Sequence, residues 1–261
     1  MGTSRVVLVT GASSGIGQSC AELLAQRGHR VYGASRSAGL RMDVRDEGSV
    51  NAAVRTILER EQRLDVVINN AGFGIAGAVE DTSIEEAKDQ FEVNFFGVLR
   101  VCRAVLPAMR NQRQGTIINI GSIGGLMAIP YQGLYSATKF ALEGLTESLR
   151  LEVRDFGIRV VLIEPGDHRT GFTQNRRSTA ASAEGSAYRA VFEHAVARMA
   201  ADEQAGPSAE RVAALVSKVI DTRRPRLRYT VGPAPQRAAA WLKRLLPHAS
   251  IEAIMRQNYL P

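Results

Sequence analysis

Two side chains with complementary acid–base chemistry stand four positions apart near the middle of the chain. Tyr135 supplies a phenol and Lys139 an ammonium group, and a helix through these positions would project both from one face. A free phenol titrates near pH ~10, but a neighbouring cation favours the phenolate, and about 1.36 kcal/mol of interaction lowers the pKa by one unit. The pair predicts a tyrosine that acts as general acid and base. In isolation, the same pair would be an ordinary contact on a helix surface.

A glycine-rich turn follows the first apolar run of the chain and opens the first helical pattern. It extends from Thr10 to Gly17 and places glycines at Gly11, Gly15 and Gly17. Such glycines turn the chain tightly, let backbone N–H groups approach a pyrophosphate and let the helix pack on the strand. This setting predicts a dinucleotide-binding site, and the alternative is an ordinary strand-to-helix turn.

The end of the second predicted strand indicates which dinucleotide is bound. An acidic side chain here would hold the ribose hydroxyls of NAD, but the run from Val31 to Arg36 contains none. Arg36 offers a planar guanidinium that suits a phosphate, and Ser35 adds a hydroxyl. We therefore predict NADP(H) as the preferred cofactor, with NAD(H) as the second choice. A solvated surface arginine is the competing interpretation of Arg36.

Short apolar runs alternate with longer helical patterns along the chain. The predicted strands are 5–10, 30–35, 40–43, 64–69, 115–120, 158–164 and 227–231, and the predicted helices are 15–28, 47–63, 84–110, 135–156 and 209–221. This alternation is typical of a doubly wound parallel sheet with helices on both faces. The sequence therefore predicts one α/β domain of the Rossmann type over residues 1–261, with about seven strands.

Two regions depart from the alternation. Residues 166–207 have patchy helical spacing and are predicted to form a lid over the carboxyl edge of the sheet. Residues 233–261 form a basic amphipathic extension, in which Trp241 and Leu245 flank Lys243 and Arg244. This extension could dock on its own domain or a second subunit, close the substrate pocket, or lie on an anionic membrane.

Composition and charge exclude several classes of function. The chain has 261 residues and a net charge of +7, but residues 221–261 hold eight Lys and Arg against two Asp and Glu, so the main body is almost neutral. A neutral body without zinc-finger or basic-zipper patterns argues against nucleic-acid binding. No apolar run approaches the ~20 residues of a membrane span, and the first residues lack the pattern of a signal peptide. We therefore expect a cytoplasmic protein. Cys20 and Cys102 are predicted to be buried thiols, and no metal site is expected.

Further motifs follow in a characteristic order. Asn69-Asn70-Ala71-Gly72 comes after the fourth predicted strand, and the later positions are Asn94, Ser122, Pro165-Gly166 and Thr170. Together with the glycine turn and the Tyr135–Lys139 pair, they resemble the short-chain dehydrogenase/reductase family from Arg5 to about Thr170. The segments 122–127 and 135–148 are similar to the branch that contains estradiol and retinol dehydrogenases.

This resemblance implies a role for each of four catalytic residues. Tyr135 would donate a proton to the substrate oxygen as hydride reaches the carbonyl carbon, and Ser122 would hydrogen-bond that oxygen. Lys139 would hold the nicotinamide ribose and lower the pKa of the phenol. Asn94 would organise its helix and a water that relays protons. Each position also has a structural interpretation, such as a helix bend at Asn94 or a turn at Ser122.

The motifs and the resemblance together define a cofactor-binding set. Asp43 and Val44 would meet the adenine, Asn70 to Gly72 would line the ribose, and Thr170 would hold the carboxamide. His168 stands where the family usually has an aliphatic residue. The complete set is Gly11, Ser13, Ser14, Gly15, Ile16, Gly17, Ser35, Arg36, Asp43, Val44, Asn70, Ala71, Gly72, Tyr135, Lys139, Pro165, Gly166, His168 and Thr170.

Apolar residues are expected around the catalytic corner. The predicted rim consists of Phe73, Ile75, Met127, Ile129, Tyr131, Leu134 and Phe172. Such a lining suits a small hydrophobic ketone, aldehyde or alcohol of steroid, retinoid, acyl or polyketide type. Two competing functions stay open: a non-catalytic dinucleotide sensor, and a membrane-surface protein on the same fold. A homodimer is the expected assembly.

Overall fold

The predicted strands form one parallel seven-stranded sheet. The structure, a computed structural model, describes residues 4–182, 185–243 and 245–260. The elements are β1 Val6–Thr10, α1 Gly15–Gln26, β2 Arg30–Ser35, β3 Leu40–Arg41, α2 Glu47–Glu61, β4 Val66–Asn69, β5 Ile75–Ala76, α3 Ile84–Phe91, α4 Gly97–Gln112, β6 Gly115–Ile120, α5 Gly133–Glu152, β7 Ile158–Pro165, α6 Phe172–Asn175, β8 Arg177–Ser178, α7 Arg189–Ala205, α8 Glu210–Asp221, β9 Arg228–Val231, α9 Ala234–Leu242 and α10 His248–Tyr259. The sheet has the order β3-β2-β1-β4-β6-β7-β9, so the predicted doubly wound α/β fold is confirmed.

Both faces of the sheet are covered by apolar side chains. In β1, Val6 and Leu8 belong to one core, and Val7 and Val9 belong to the other. The first core includes residues of α2, α4 and α5, and the second includes residues of α1 and α8. Because successive residues of a strand point to opposite faces, a strand between two helical layers must be apolar throughout. This requirement explains the continuous valine and isoleucine runs in the sequence.

The order of the strands fixes where a ligand can enter. β1 has β2 on one side and β4 on the other, so the chain reverses its direction of winding at β1. In open parallel sheets, ligands bind in the crevice beyond the carboxyl ends of the strands at such a reversal. The glycine turn after β1 and the Asn69–Gly72 motif after β4 both lie at this crevice.

Two predictions about helices are wrong. The single helix predicted over 84–110 is interrupted, because a π-helical turn at Glu92–Phe96 separates α3 from α4. Residues 189–205, predicted to be irregular, form the helix α7. Its buried positions Phe192, Ala195 and Met199 recur at helical spacing, but alanines and charged residues between them weaken the apolar pattern.

The predicted extension packs on its own domain. The Nζ of Lys243 donates to the carbonyl of Leu126, and Ala240 and Ile251 are buried. Positions 183 and 184 of the predicted lid, and Arg244 and Pro261 of the extension, lie outside the described residues. Within the described ranges, no helix is long and apolar enough to cross a membrane.

The two cysteines behave as predicted. Cys20 and Cys102 are buried and free. Burial raises the pKa of each thiol to about 12, so both stay neutral at physiological pH. Across the described part of the chain, no group of three or more His, Cys, Asp or Glu side chains is arranged to hold a metal ion.

Candidate active site

A cavity of about 1140 Å³ runs along the carboxyl edge of the sheet from the glycine turn to α10. Most of the predicted site residues line it. They are Gly11, Ser13, Ser14, Gly15, Ile16, Ser35, Arg36, Asp43, Val44, Asn70, Ala71, Gly72, Ser122, Tyr135, Lys139, Pro165, Gly166, His168 and Thr170. Gly17 and Asn94 are not among its lining residues.

The glycine turn is held by the segment that follows β4. The hydroxyl of Thr10 accepts hydrogen bonds from the backbone N–H groups of Asn70 and Ala71, each at 3.0 Å. The side-chain amide of Asn70 donates to the carbonyls of Thr10 and Gly11 at 3.0 and 3.2 Å. A Cβ at Gly17 would overlap both this amide nitrogen and the carbonyl oxygen of Gly11. Position 17 therefore accommodates only glycine.

The first turn of α1 is suited to an anion. Gly11 and Gly15 have φ angles of +65° and +55°, which bend the chain so that α1 begins at the cavity wall. Ser14 makes no side-chain capping bond, and the first turn carries no acidic residue. The first N–H groups of a helix have no partner within it, and the helix dipole favours a negative charge there. These residues therefore fit the pyrophosphate of a dinucleotide.

The two residues predicted to bind the extra phosphate, Ser35 and Arg36, differ in their surroundings at the end of β2. The hydroxyl of Ser35 donates to the carbonyl of Ala38 at 2.6 Å and accepts from the N–H groups of Ser37 and Ala38. Ser35 is thus committed to the turn between β2 and β3, while Arg36 lines the cavity and is exposed. The absence of a helix between these strands agrees with the short predicted connection.

Arg45 is a cavity residue that the sequence interpretation missed. Its guanidinium binds the carboxylate of Asp43, with Nη2 at 2.8 Å from Oδ2. The hydrogen bond from Arg45 lowers the pKa of Asp43, and the charge of Arg36 lowers it further. The adenosine end of the cavity therefore carries two arginines, the ionised carboxylate of Asp43 and the carboxylate of Asp89, which lies 4.0 Å from Arg45 Nη1.

Tyr135, Ser122 and Lys139 meet at the centre of the cavity. Tyr135 and Lys139 are each 8% exposed, and the Lys139 Nζ lies 5.7 Å from the centroid of the Tyr135 ring. Nζ also donates to the carbonyl of Ile120 at 2.9 Å, which fixes the ammonium group between α5 and the end of β6. The predicted spacing of four residues on one helix therefore brings both groups to one place.

The pKa of Tyr135 differs from the sequence expectation. Burial raises the pKa of this phenol to about 12, and the hydrogen bond with Ser122 offsets only part of the effect. The net shift is upward because burial outweighs that hydrogen bond, and a lowering of the pKa by Lys139 remains a prediction. Burial also lowers the pKa of Lys139 to about 8. Near pH 7 Tyr135 is therefore a neutral phenol that can donate a proton, and Lys139 is mainly charged.

Asn94 positions the active site from inside the π-helical turn. Its Oδ1 accepts from the N–H of Phe73 at 3.1 Å, and its Nδ2 donates to the carbonyl of Phe73 at 3.0 Å and to the Thr138 hydroxyl. Gln90 makes a similar pair of bonds, to Ile75 N–H and the Phe73 carbonyl, and no motif in the sequence marks it. Asn94 thus ties the segment after β4 to α5, and the water relay remains a prediction.

His168 is buried beside the cavity and stays neutral. Its Nδ1 lies 2.9 Å from the carbonyl oxygen of Gly166, an arrangement that fits a donating Nδ1–H. Burial is the main cause that lowers the pKa of this imidazole. His168 therefore supports the loop after β7, and contact with cofactor or substrate remains a prediction.

The predicted apolar rim is correct for four residues. Phe73, Met127, Ile129 and Phe172 line the cavity, and Ile75, Tyr131 and Leu134 do not. Ile75 is buried in the short pair of β5 and β8, and Tyr131 packs edge-on against Phe192 with centroids 5.8 Å apart. The helix α10 adds apolar and polar groups to the rim, namely Ile251, Ile254, Met255, Asn258 and Tyr259.

One wall of the substrate end is charged, which contradicts the expectation of an apolar lining. Residues of the predicted lid contribute Arg177, Arg198, Asp202 and Glu203, and Asp167 follows β7. These side chains come from segments distant in sequence, mainly from α7. A substrate that fills the cavity thus meets apolar groups and carboxylates together.

Comparison with known proteins decides the family. The model of the short chain dehydrogenase family matches residues 5–181. The chain belongs to the short-chain dehydrogenase/reductase family. It is 43% identical to a 3-ketodihydrosphingosine reductase of Bacteroides thetaiotaomicron, over 98% of each chain. The protein is accordingly an oxidoreductase that acts on carbonyl or alcohol groups.

Solved structures of this dehydrogenase family agree with the fold. A short-chain dehydrogenase from Streptomyces avermitilis superposes with a TM-score of 0.83 at 33% identity, over 98% of this chain and 96% of that one. A family member from Burkholderia phymatum in complex with NAD gives 0.76 at 26% identity, over 96% and 95% of the chains. An alcohol dehydrogenase from Thermococcus sibiricus, complexed with 5-hydroxy-NADP, gives 0.70 at 26% identity, over 89% and 97%. Both kinds of dinucleotide thus occur among similar proteins.

Proposed function

We propose that this protein is an NADP(H)-dependent reductase of a long-chain ketone, of the kind named in its 43% identical relative. The observation that carries the proposal is the convergence of Ser122, Tyr135 and Lys139 in a cavity that continues to the apolar side chains of α10. Such a cavity accommodates a carbonyl at its polar centre and an alkyl chain along α10. The test is ketone-dependent consumption of NADPH by the purified protein.

Each residue of the centre has its own role in the proposed reaction. Tyr135 Oη donates a proton to the substrate oxygen, and Ser122 hydrogen-bonds the same oxygen. Lys139 holds a ribose of the bound cofactor and keeps a positive charge next to the phenol. The cofactor supplies the hydride when it is bound. Positioned proton transfer of this kind contributes about 10²- to 10⁴-fold in rate.

We expect Arg36→Ala to weaken NADPH binding selectively. Arg36 is exposed at the adenosine end of the cavity, and a charged hydrogen bond to the extra phosphate of NADPH is worth about 1.5–3 kcal/mol, or about 10- to 150-fold in affinity. Affinity for NADH should change little. Titration of both cofactors measures the ratio. Arg41→Ala is the matched control, because Arg41 is an exposed arginine on β3 that does not line the cavity. An unchanged NADPH-to-NADH ratio in Arg36→Ala would leave NAD(H) as the better assignment.

A membrane-surface role is supported by the described part of the extension. Trp241 and Leu245 are 63% and 65% exposed, and Arg237 and Arg256 are exposed on the same extension. We propose that this surface rests on anionic lipid, close to the cavity mouth lined by α10. Salt-sensitive cosedimentation with anionic vesicles is expected, and Trp241→Ala combined with Leu245→Ala should reduce it. Equal sedimentation with neutral vesicles, or none at low salt, would contradict this proposal.

A non-catalytic dinucleotide sensor is the competing function for the same fold. Such a sensor would bind NADPH tightly and turn over no carbonyl compound. The meeting of Ser122 with the buried Tyr135 and Lys139 favours the enzyme, because a sensor has no use for a proton donor in the cavity. Measuring NADPH binding and NADPH oxidation on the same sample separates the two functions.

We also propose that the protein forms a homodimer. The support comes from exposed apolar side chains at the end of the π-helical turn before α4 and on α5, namely Phe96, Phe140 and Leu151. Exposed apolar surface of this kind is often covered by a partner. Light scattering would give twice the monomer mass of 28.3 kDa for a dimer, and the monomer mass itself would contradict the proposal.

A further inference from the structure

Three carboxylates line the substrate end of the cavity, and they differ in their partners. Asp202 forms an ion pair with Arg198 at 3.1 Å, and Glu203 forms one with the buried guanidinium of Arg176. Asp167 has no ion pair within 4 Å among the described residues. Its side-chain partner is the neutral amide of Gln236 on α9. Asp167 is therefore the carboxylate of this wall that lacks a cation.

The bonds from Gln236 hold Asp167 in place. The Oε1 of Gln236 accepts from the Asp167 backbone N–H at 2.9 Å, while its Nε2 donates to the Asp167 Oδ2. An ionised carboxylate offers about four acceptor positions on its two oxygens, so one amide N–H leaves capacity for further donors. A partly buried carboxylate is also costly without a positive partner. Gln236 thus fixes the orientation of the Asp167 carboxylate but does not balance its negative charge.

Asp167 lies close to the reaction centre. It follows Pro165-Gly166 at the end of β7 and lines the same cavity as Tyr135. After burial, the charges of Glu203 and Asp167 are among the causes that raise the pKa of Tyr135. Burial raises the pKa of Asp167 itself to about 6, so the group is mainly ionised near pH 7. A ligand cation at Asp167 would therefore stand near the carbonyl that Tyr135 protonates.

We infer that Asp167 binds an ammonium group next to the substrate carbonyl, and that it thereby makes the enzyme prefer amino ketones over neutral ketones of equal length. This inference rests on the proposed ketone reductase function. Asp167 is a specificity-determining residue in this account, because the proton and hydride transfers do not involve it. The sequence motif Pro165-Gly166 located the loop, but only the structure places the carboxylate in the substrate end.

The test compares two ketones that differ only in the amine. The probes are an eighteen-carbon 2-amino-3-ketone and the 3-ketone of the same length without the amine. The wild type is expected to prefer the amino ketone in kcat/KM, and Asp167→Asn to reduce that preference by about 10-fold or more. Asp202→Asn is the matched control, because Asp202 lines the same wall but already has Arg198. It should change the preference much less. Equal losses on both ketones in Asp167→Asn would overturn the inference.

Two further measurements keep the result decisive. Binding of the corresponding amino alcohol and plain alcohol to the NADP-loaded protein is measured by calorimetry. If no ketone is reduced but the amine still improves binding only when Asp167 is present, the proposed function fails and the inference stands. If Asp167→Asn does not fold, as judged by circular dichroism, acetylation of the amine on the substrate replaces the variant. Acetylation should abolish the preference of the wild type, and an unchanged preference would refute the inference.

Discussion

Tyr135→Phe is expected to reduce kcat/KM for carbonyl reduction by about 10²- to 10⁴-fold and to leave NADPH binding nearly unchanged. The substitution removes the phenolic oxygen, which is the proton donor, and keeps the ring. That ring packs against Phe172 with centroids 5.6 Å apart and is 8% exposed, so its packing is retained. The loss should therefore appear in the chemical step, which single-turnover measurement of NADPH oxidation reports directly.

Tyr131→Phe provides the matched control for this experiment. Tyr131 lies on the loop before α5, packs on Phe192 and does not line the cavity. Removing its hydroxyl should leave the rate of reduction within a few-fold of the wild type. Comparable activity in the Tyr135 and Tyr131 variants would show that the phenol of Tyr135 is not the proton donor.

Gly17→Ala is expected to weaken NADPH binding by more than about 10-fold and to lower the free energy of unfolding by about 1–3 kcal/mol. The added Cβ would overlap the Gly11 carbonyl oxygen and the Asn70 amide nitrogen. Both atoms belong to the hydrogen bonds that shape the glycine turn, so the turn must open to accept the methyl group. Fluorescence titration with NADPH and urea unfolding measure the two effects.

Gly144→Ala is the control for Gly17→Ala. Gly144 is an exposed residue inside α5, and a Cβ there would meet no atom within 4 Å. Alanine in a helix interior is more stable than glycine by about 0.5–1 kcal/mol, so this variant should unfold at higher urea with unchanged cofactor affinity. If Gly17→Ala bound NADPH like the wild type, the glycine turn would not be the cofactor site.

The sequence predicts the sheet well because its strands lie between two helical layers. Such strands must be apolar on both faces, and the bounds predicted for β2 and β6 match the structure. The Tyr135–Lys139 pair was equally predictable from the sequence, since spacing within one helix fixes which side chains share a face. The glycine turn can also be predicted from the sequence, because its local conformation requires glycine at fixed positions.

The features that the sequence did not predict depend on contacts between distant segments. Asn94 was expected near the reaction, but the widened π-helical turn commits its amide to Phe73 and Thr138. The charged wall arises because α7 folds over the cavity and α9 brings Gln236 to Asp167. Neither Gln236 nor Asp167 belongs to a sequence motif or a periodic pattern that would predict this contact. The raised pKa of Tyr135 has the same origin, because it results from burial of the phenol, and only the complete fold determines that burial.

We propose that this family member reduces long-chain ketones with NADPH, and the most direct test is the loss of NADPH absorbance on addition of a ketone. Purified wild-type protein is combined with NADPH and a series of 3-ketones of increasing chain length, with and without a 2-amino group. We predict ketone-dependent oxidation of NADPH by the wild type, and a rate about 10²- to 10⁴-fold lower in Tyr135→Phe. Tight NADPH binding with no oxidation by any ketone of the series would contradict the account and favour the non-catalytic sensor.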